Sequence, residues 1–249
     1  MVVINGYTIG PGADLTGAFL SHLIMNDVNL TNANLTGTNF SNTKLQGANL
    51  TGANLTGTIF FHTDLVGANL TGTYVDSDSE RNFRFAKLSS SNLTDVDLTG
   101  ANLTGARLTD ALLTGANLTG ANLTSAKLMY TILRGATLTG VNFTGANLFS
   151  ANLMETDLTG ANLTSAKLLY TILQGANLTG ANLTSARLQG ANLMETDLTG
   201  VNFTGANLTS ARLQGANLTG VISGNILGTP ASLPTGYTLI NGTITGPGI

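Results

Sequence analysis

From Leu15 to Leu218 an apolar residue returns at every fifth position, with one break. It is nearly always Leu or Phe, and Ala usually stands two places before it, as in Ala101-Asn102-Leu103-Thr104-Gly105. A period of five matches neither the 3.6 of a helix nor the 2.0 of a half-buried strand, so the pattern predicts neither. A short period kept over most of a chain predicts a solenoid instead, in which each unit buries its apolar side against its neighbours.

Taking the Leu/Phe position as the centre of each unit, the centres run in step from Leu15 to Val75, with Met25 as one substitution. They resume at Phe83, eight residues after Val75, and continue to Leu218. One unit plus three residues separates the two runs, which predicts an inserted surface loop over 76–81. Its Asp, Ser and Glu residues lack the glycine and the terminal Glu spacing of a calcium loop, so no metal site is expected there. A loop protruding from a rigid scaffold is still a place where function tends to reside.

A larger period sits above the five. Residues 121–160 and 161–200 are near duplicates, each closing on Met-Glu-Thr-Asp-Leu-Thr-Gly. Central Phe residues fall at Phe83, Phe143 and Phe203, and Phe40 and Phe60 join them once the three extra residues are subtracted. These spacings are multiples of twenty, which predicts a coil of four units with all five rings on one side of the core.

The repeat resembles that of the pentapeptide-repeat family, whose consensus is A(D/N)LXX, and the resemblance covers about residues 13–222. It implies an all-β fold: a right-handed quadrilateral parallel β-helix, a solenoid with four pentapeptides per coil. In that fold the central Leu/Phe and the Ala two places earlier point inward, and the other three residues of each unit point out. At the usual strand spacing about ten coils give a rod roughly 50 Å long.

The ends of such a rod need covers. Residues 1–12 and 223–249 are expected to be short β-type end caps flanking the 13–222 helix. The two share a motif, Ile4-Asn5-Gly6 through Gly10-Pro11-Gly12 and Ile240-Asn241-Gly242 through Gly246-Pro247-Gly248. The alternative is one module of a longer tandem array.

Composition narrows the function classes. Charged residues make up 9% of the chain and its net charge is −3, so bulk charge favours neither a polyanion binder nor a strongly acidic protein. The absence of Cys excludes disulfides, thiolate metal sites and cysteine nucleophiles. No apolar run is long enough to span a bilayer, and the N-terminus lacks the pattern of a signal peptide. A cytoplasmic location is therefore expected. The many Asn-Leu-Thr triplets, formally glycosylation acceptors, follow from the repeat itself.

A twenty-residue coil also sorts the outward residues into columns. Two sides are monotonous ladders, such as Thr99 to Thr219 and Asn102 to Asn202, suited to β-structure and cross-strand hydrogen bonds. The other two vary. Arg107, Lys127, Asn147, Lys167 and Arg187 form one column, beside Thr109, Met129, Phe149, Leu169 and Gln189. Tyr130 and Tyr170 belong at the next corner, with Ile132 and Ile172 beyond it. The surface of Lys127, Met129, Tyr130, Ile132, Phe149, Lys167, Leu169, Tyr170 and Ile172 is the candidate partner site, because it would expose an apolar cluster edged by cations.

No catalytic, cofactor-binding or metal residues are expected. His22 and His62 lie two coils apart in one column, roughly 10 Å, and are read as isolated surface residues. Glu155 and Asp157 recur as Glu195 and Asp197, which marks copying of the repeat. No helix follows any Gly to make a phosphate site.

The leading expectation is a non-enzymatic rod that binds a protein or its own copy. One alternative is suggested by the family's gyrase-protecting members, which resemble duplex DNA; that mechanism needs a strongly negative surface. Another is ice binding through the Thr ladders, although each side offers one Thr column flanked by Asn or Asp. The Lys/Arg column is too short and diluted to make nucleic acid an expected partner.

Overall fold

In the computed structural model, which describes residues 2–73 and 82–249, each end carries a short antiparallel hairpin. β1 (Val2–Ile4) pairs with β2 (Tyr7–Ile9), and β3 (Thr238–Ile240) pairs with β4 (Thr243–Thr245). Both turns are Asn-Gly, with Asn5, Gly6, Asn241 and Gly242 all at positive φ, as a two-residue hairpin loop demands.

Between the hairpins the chain pairs with itself by parallel bridges of one residue each. Asp14 bridges Asn34, Phe19 bridges Asn39, and Asn102, Asn122, Asn142 and Asn162 follow one another in a column. The residue just before each centre makes both bonds of a parallel ladder: Asn122 N donates to Ala101 O at 2.9 Å, and its carbonyl accepts from Leu103 N at 2.8 Å. The chain then turns. Ala106 N closes on Leu103 O at 3.0 Å, and Gly105 between them takes φ +67°. A left-handed residue at this place explains why Gly, Asn, Asp and Ser fill it so often.

The bridges repeat at twenty residues except at one step, where Asp64 pairs with Lys87 and Asn69 with Asn92, twenty-three apart. The three extra residues inferred from the repeat are therefore present in the pairing. The loop expected over 76–81 lies outside the described residues.

Inside, the described centres from Leu15 to Leu218 are buried, and so are the Ala positions except Ala13, Leu23 and Val28 in the first coil, which are partly buried. Phe40 stacks on Phe60 at 5.5 Å and Phe60 on Phe83 at 4.9 Å, so the expected Phe column runs across the longer step. The Ala column is not uniformly apolar. Thr38, Thr43, Thr58, Thr63, Thr131 and Thr171 are fully buried there, and each donates its hydroxyl to a carbonyl twenty-three residues earlier, at 2.6–2.8 Å. A buried hydroxyl needs such a partner, and the carbonyl facing it in the preceding turn supplies one.

The ladders expected from cross-strand bonding are built chiefly within each unit. Asn122 Oδ1 accepts from Thr124 N at 3.0 Å and from Thr124 Oγ1 at 2.7 Å. The Asn-Leu-Thr triplet is thus a local turn device. Some cross-turn bonds accompany it, such as Asn177 Nδ2 to Thr159 Oγ1 at 3.0 Å.

Candidate functional site

The candidate residues stand along the cation column, the corner after it and the next column beyond that corner. Lys87, Arg107, Lys127, Asn147, Lys167 and Arg187 bridge one another in that order. Their side chains leave the core because the flanking Ala and Leu positions face inward. Three residues further along each unit, at the left-handed turn position, stand Tyr130 (φ 59°) and Tyr170 (φ 56°). A bulky ring at positive φ is a backbone outlier, and such strain is tolerated where the side chain has other work.

Phe149 lies between the two tyrosines. Its ring is edge-on to Tyr130 at 5.6 Å and to Tyr170 at 5.8 Å. Tyr130 and Tyr170 are 53% and 59% exposed, whereas Met129, Phe149 and Leu169 are only half-buried. They form the floor of a groove of about 350 Å³ whose rim carries Lys167 and Arg187. All three keep part of their surface open, and the Phe149 ring is held between the two tyrosines. Ile132 (38% exposed) and the half-buried Ile172 stand in the neighbouring column with Leu112 and Asn152, outside the groove. Lys127 lines a second groove instead.

That second groove, about 290 Å³, was not anticipated. It lies along the same cation column and is lined by His62, Phe85, Lys87, Gly105, Arg107 and Lys127. Phe85 takes φ 58°, and its ring stacks on His62 at 5.1 Å with 20° between planes. Phe61 meets both rings edge-on, and the Arg84 guanidinium sits 5.0 Å from the Phe85 centroid. His62 is therefore not isolated but part of an aromatic cluster. The available signal was an aromatic residue at the position where the repeat places Gly. A third groove, about 410 Å³, lies beside the first hairpin between Ile4, Ile9 and the Ile24–Asn29 segment, next to the exposed Ile24.

Charge on the basic column is largely uncompensated. Lys87 pairs with Asp64 at 3.0 Å, and away from the column Arg134 pairs with Glu155 at 3.1 Å. Among the described residues Arg107, Lys127, Lys167 and Arg187 have no ion pair. Two carboxyls are held below their ordinary range. Asp14 is held there mainly by the Thr16 hydroxyl, and Asp157 mainly by the Thr159 hydroxyl, with the Thr159 N–H and the Thr139 hydroxyl adding to it. Among the described residues no cluster of His, Asp and Glu could hold a metal ion, and no helix is long and apolar enough to cross a membrane.

A family model described as pentapeptide repeats matches the chain in eight copies that together span residues 12–74 and 82–222. Among solved structures, HetL from the cyanobacterium Nostoc, a pentapeptide repeat protein involved in heterocyst differentiation regulation, is 33% identical. The match covers 82% of this chain and 91% of HetL, with a TM-score of 0.36. QnrB1, a plasmid-mediated fluoroquinolone resistance protein, is 22% identical over 80% of this chain and 90% of its own, with a TM-score of 0.36. Rfr23 from the cyanobacterium Cyanothece is 35% identical over 47% of this chain and 64% of its own, with a TM-score of 0.18. No curated protein sequence matches the chain.

Proposed function

The chain belongs to the pentapeptide-repeat family, and we propose that it is a non-enzymatic structural rod that binds another protein, or a second copy of itself, through the surface around Met129, Phe149 and Leu169. The observation that carries this reading is the packing of Phe149 between two exposed tyrosines whose backbones are held at positive φ. Strain of this kind costs on the order of 1–3 kcal/mol per residue, and Gly at the same corner avoids it.

The rod itself is read as a right-handed quadrilateral β-helix of about ten coils, capped by residues 1–12 and 223–249 and working in the cytoplasm. The parallel bridges at twenty-residue steps support that reading. So does the seating of the second hairpin, where Ile226 N donates to Gly242 O at 2.9 Å and Ile244 is buried.

Replacing Met129, Phe149 and Leu169 together by Ser tests the surface. The triple variant should keep the far-ultraviolet spectrum of the parent and lose its association, read by light scattering and by co-purification of the native partner. Unchanged association would remove the assignment. A supercoiling assay with gyrase separates this reading from DNA mimicry: inhibition at micromolar protein would favour mimicry, and the basic column argues for none.

A further inference from the structure

Six of the ten Lys and Arg residues stand in one column: Lys44, Lys87, Arg107, Lys127, Lys167 and Arg187. Within it Arg107 bridges Lys127 directly, and Lys167 bridges Arg187. Like charges directly opposite on neighbouring strands are destabilising. The column from Asn102 to Asn202 fills the same position of its unit with Asn and incurs no such repulsion. The chain as a whole is acidic, so this concentration of positive charge is a local departure from its composition.

A second departure borders the same column. Phe and Tyr at positive φ occur among the described residues at three positions, Phe85, Tyr130 and Tyr170. Phe85 is at the corner before the cation column and the tyrosines at the corner after it. The other two corners carry Gly at one, and Gly, Asn, Asp and Glu at the other. Two rings also depend on a glycine in the next turn. A Cβ on Gly105 would lie 2.5 Å from the Phe85 ring, and one on Gly190 would lie 2.7 Å from the Tyr170 ring. Departures from local rules that converge on one place mark function.

Neither groove on the column is lined by an acidic residue. The lining offers ammonium, guanidinium and phenol donors around a floor of Met129, Phe149 and Leu169. Carboxylates on an apolar backbone fit this chemistry. A nucleic acid strand fits it less well, because the rings are already engaged: Phe149 contacts both tyrosines, and Phe85 holds His62 and Arg84.

Resting on the preceding reading, we propose that the partner presents an acidic polypeptide segment, bound extended along the column from Lys87 to Arg187. Its carboxylates meet the unpaired cations, and its alternate apolar side chains enter the Met129–Leu169 groove. Five steps of ~4.8 Å give the column a length of roughly 24 Å, which about seven extended residues span.

The test uses the full chain and a fluorescein-labelled peptide of about ten residues alternating Glu with Leu and Val, read by anisotropy at low salt. Binding should weaken at least about tenfold when Glu is replaced by Gln in the peptide, in the K167E/R187E variant, and in 0.5 M salt. Equal affinity for the Gln peptide, an unaffected K167E/R187E variant, or tighter binding of an oligothymidylate of equal charge would each overturn the inference. The Ser triple at Met129, Phe149 and Leu169 separates the two levels. If that triple binds the Glu peptide as the parent does, the surface assignment itself fails. If the triple loses the peptide while K167E/R187E keeps it, only the acidic partner fails.

Discussion

Phe83 stacks on Phe60 with 4.9 Å between ring centroids and 15° between planes, across a step that is three residues longer than its neighbours. Phe40 stacks on the other face of Phe60, so this ring has an aromatic partner above and below. Phe143 sits in the same column between Leu123 and Leu163, by the twenty-residue pairing. F60A and F143A both open a large cavity, worth about 3–5 kcal/mol. F60A should cost more than F143A by about 0.5–1.5 kcal/mol, the worth of ring stacking beyond area. Chemical denaturation of the two variants checks this, and equal midpoints would contradict it.

Asn82 restarts the pairing after the longer step. Its side-chain oxygen accepts from Asn102 N at 2.8 Å, standing where a backbone carbonyl serves in other turns, and shares Phe83 N (3.0 Å) with Asn102 O (3.1 Å). N82A should therefore lower stability by about 1–3 kcal/mol, the cost of removing a buried acceptor. Hydrogen exchange at Asn102 should accelerate first, whereas Phe83 N keeps the Asn102 carbonyl. Protection of Asn102 equal to the parent would count against this role.

T58A should be nearly neutral, within about 1 kcal/mol. The Thr58 hydroxyl donates to Leu35 O at 2.8 Å, but that carbonyl also accepts from Thr38 N at 2.9 Å and keeps a partner. Ala is also the usual occupant of the position, so the fold accommodates it, and the change removes only the hydroxyl and one methyl group. A loss of several kcal/mol in thermal unfolding would show that the hydroxyl does more.

Gly190 and Gly120 separate backbone strain from ring contact. Both have positive φ, but a Cβ on Gly120 meets nothing within 4 Å. G120A should cost about 1–2 kcal/mol, the penalty of a left-handed side chain. G190A should cost more, and the excess should vanish in a Y170S background. If the excess persists there, the Tyr170 ring is not what Gly190 makes room for.

The lowered pKa of Asp157 makes a statement about acid stability. Because its carboxyl ionises more readily in the folded chain than an ordinary aspartate does, its contribution is complete above the ordinary aspartate range and is lost as pH falls through the folded value. The difference in unfolding midpoint between the parent and D157N should shrink from pH 7 towards pH 2. Asn177 at the next position of the column shows that Asn fits there. A difference that grows on acidification would reverse the sign of this argument.

What the sequence made legible was whatever the period controls. The Phe column, the three-residue slip and the corner placement of Tyr130 and Tyr170 all follow from counting. What it hid depends on bonds that counting does not see. Thr58 reads as an imperfect Ala until its hydroxyl is seen to find Leu35 O. His62 reads as solitary because its ring partner, Phe85, lies beyond the slip. Phe149 reads as outward, and counting does not show its edge-on contacts with two tyrosines. The Thr ladders and this corner also differ in how their polar groups are engaged. The Thr124 hydroxyl is committed to Asn122, whereas Arg107, Lys127, Lys167 and Arg187 have no ion pair among the described residues.

The most direct measurement of the central claim is the molar mass and partner content of the full chain and of its M129S/F149S/L169S variant, by size-exclusion chromatography with light scattering after purification from the native host. The account predicts that the parent elutes with a partner or as an oligomer and that the variant, equally folded, elutes as a monomer alone. A variant that retains the mass and partner of the parent would contradict it.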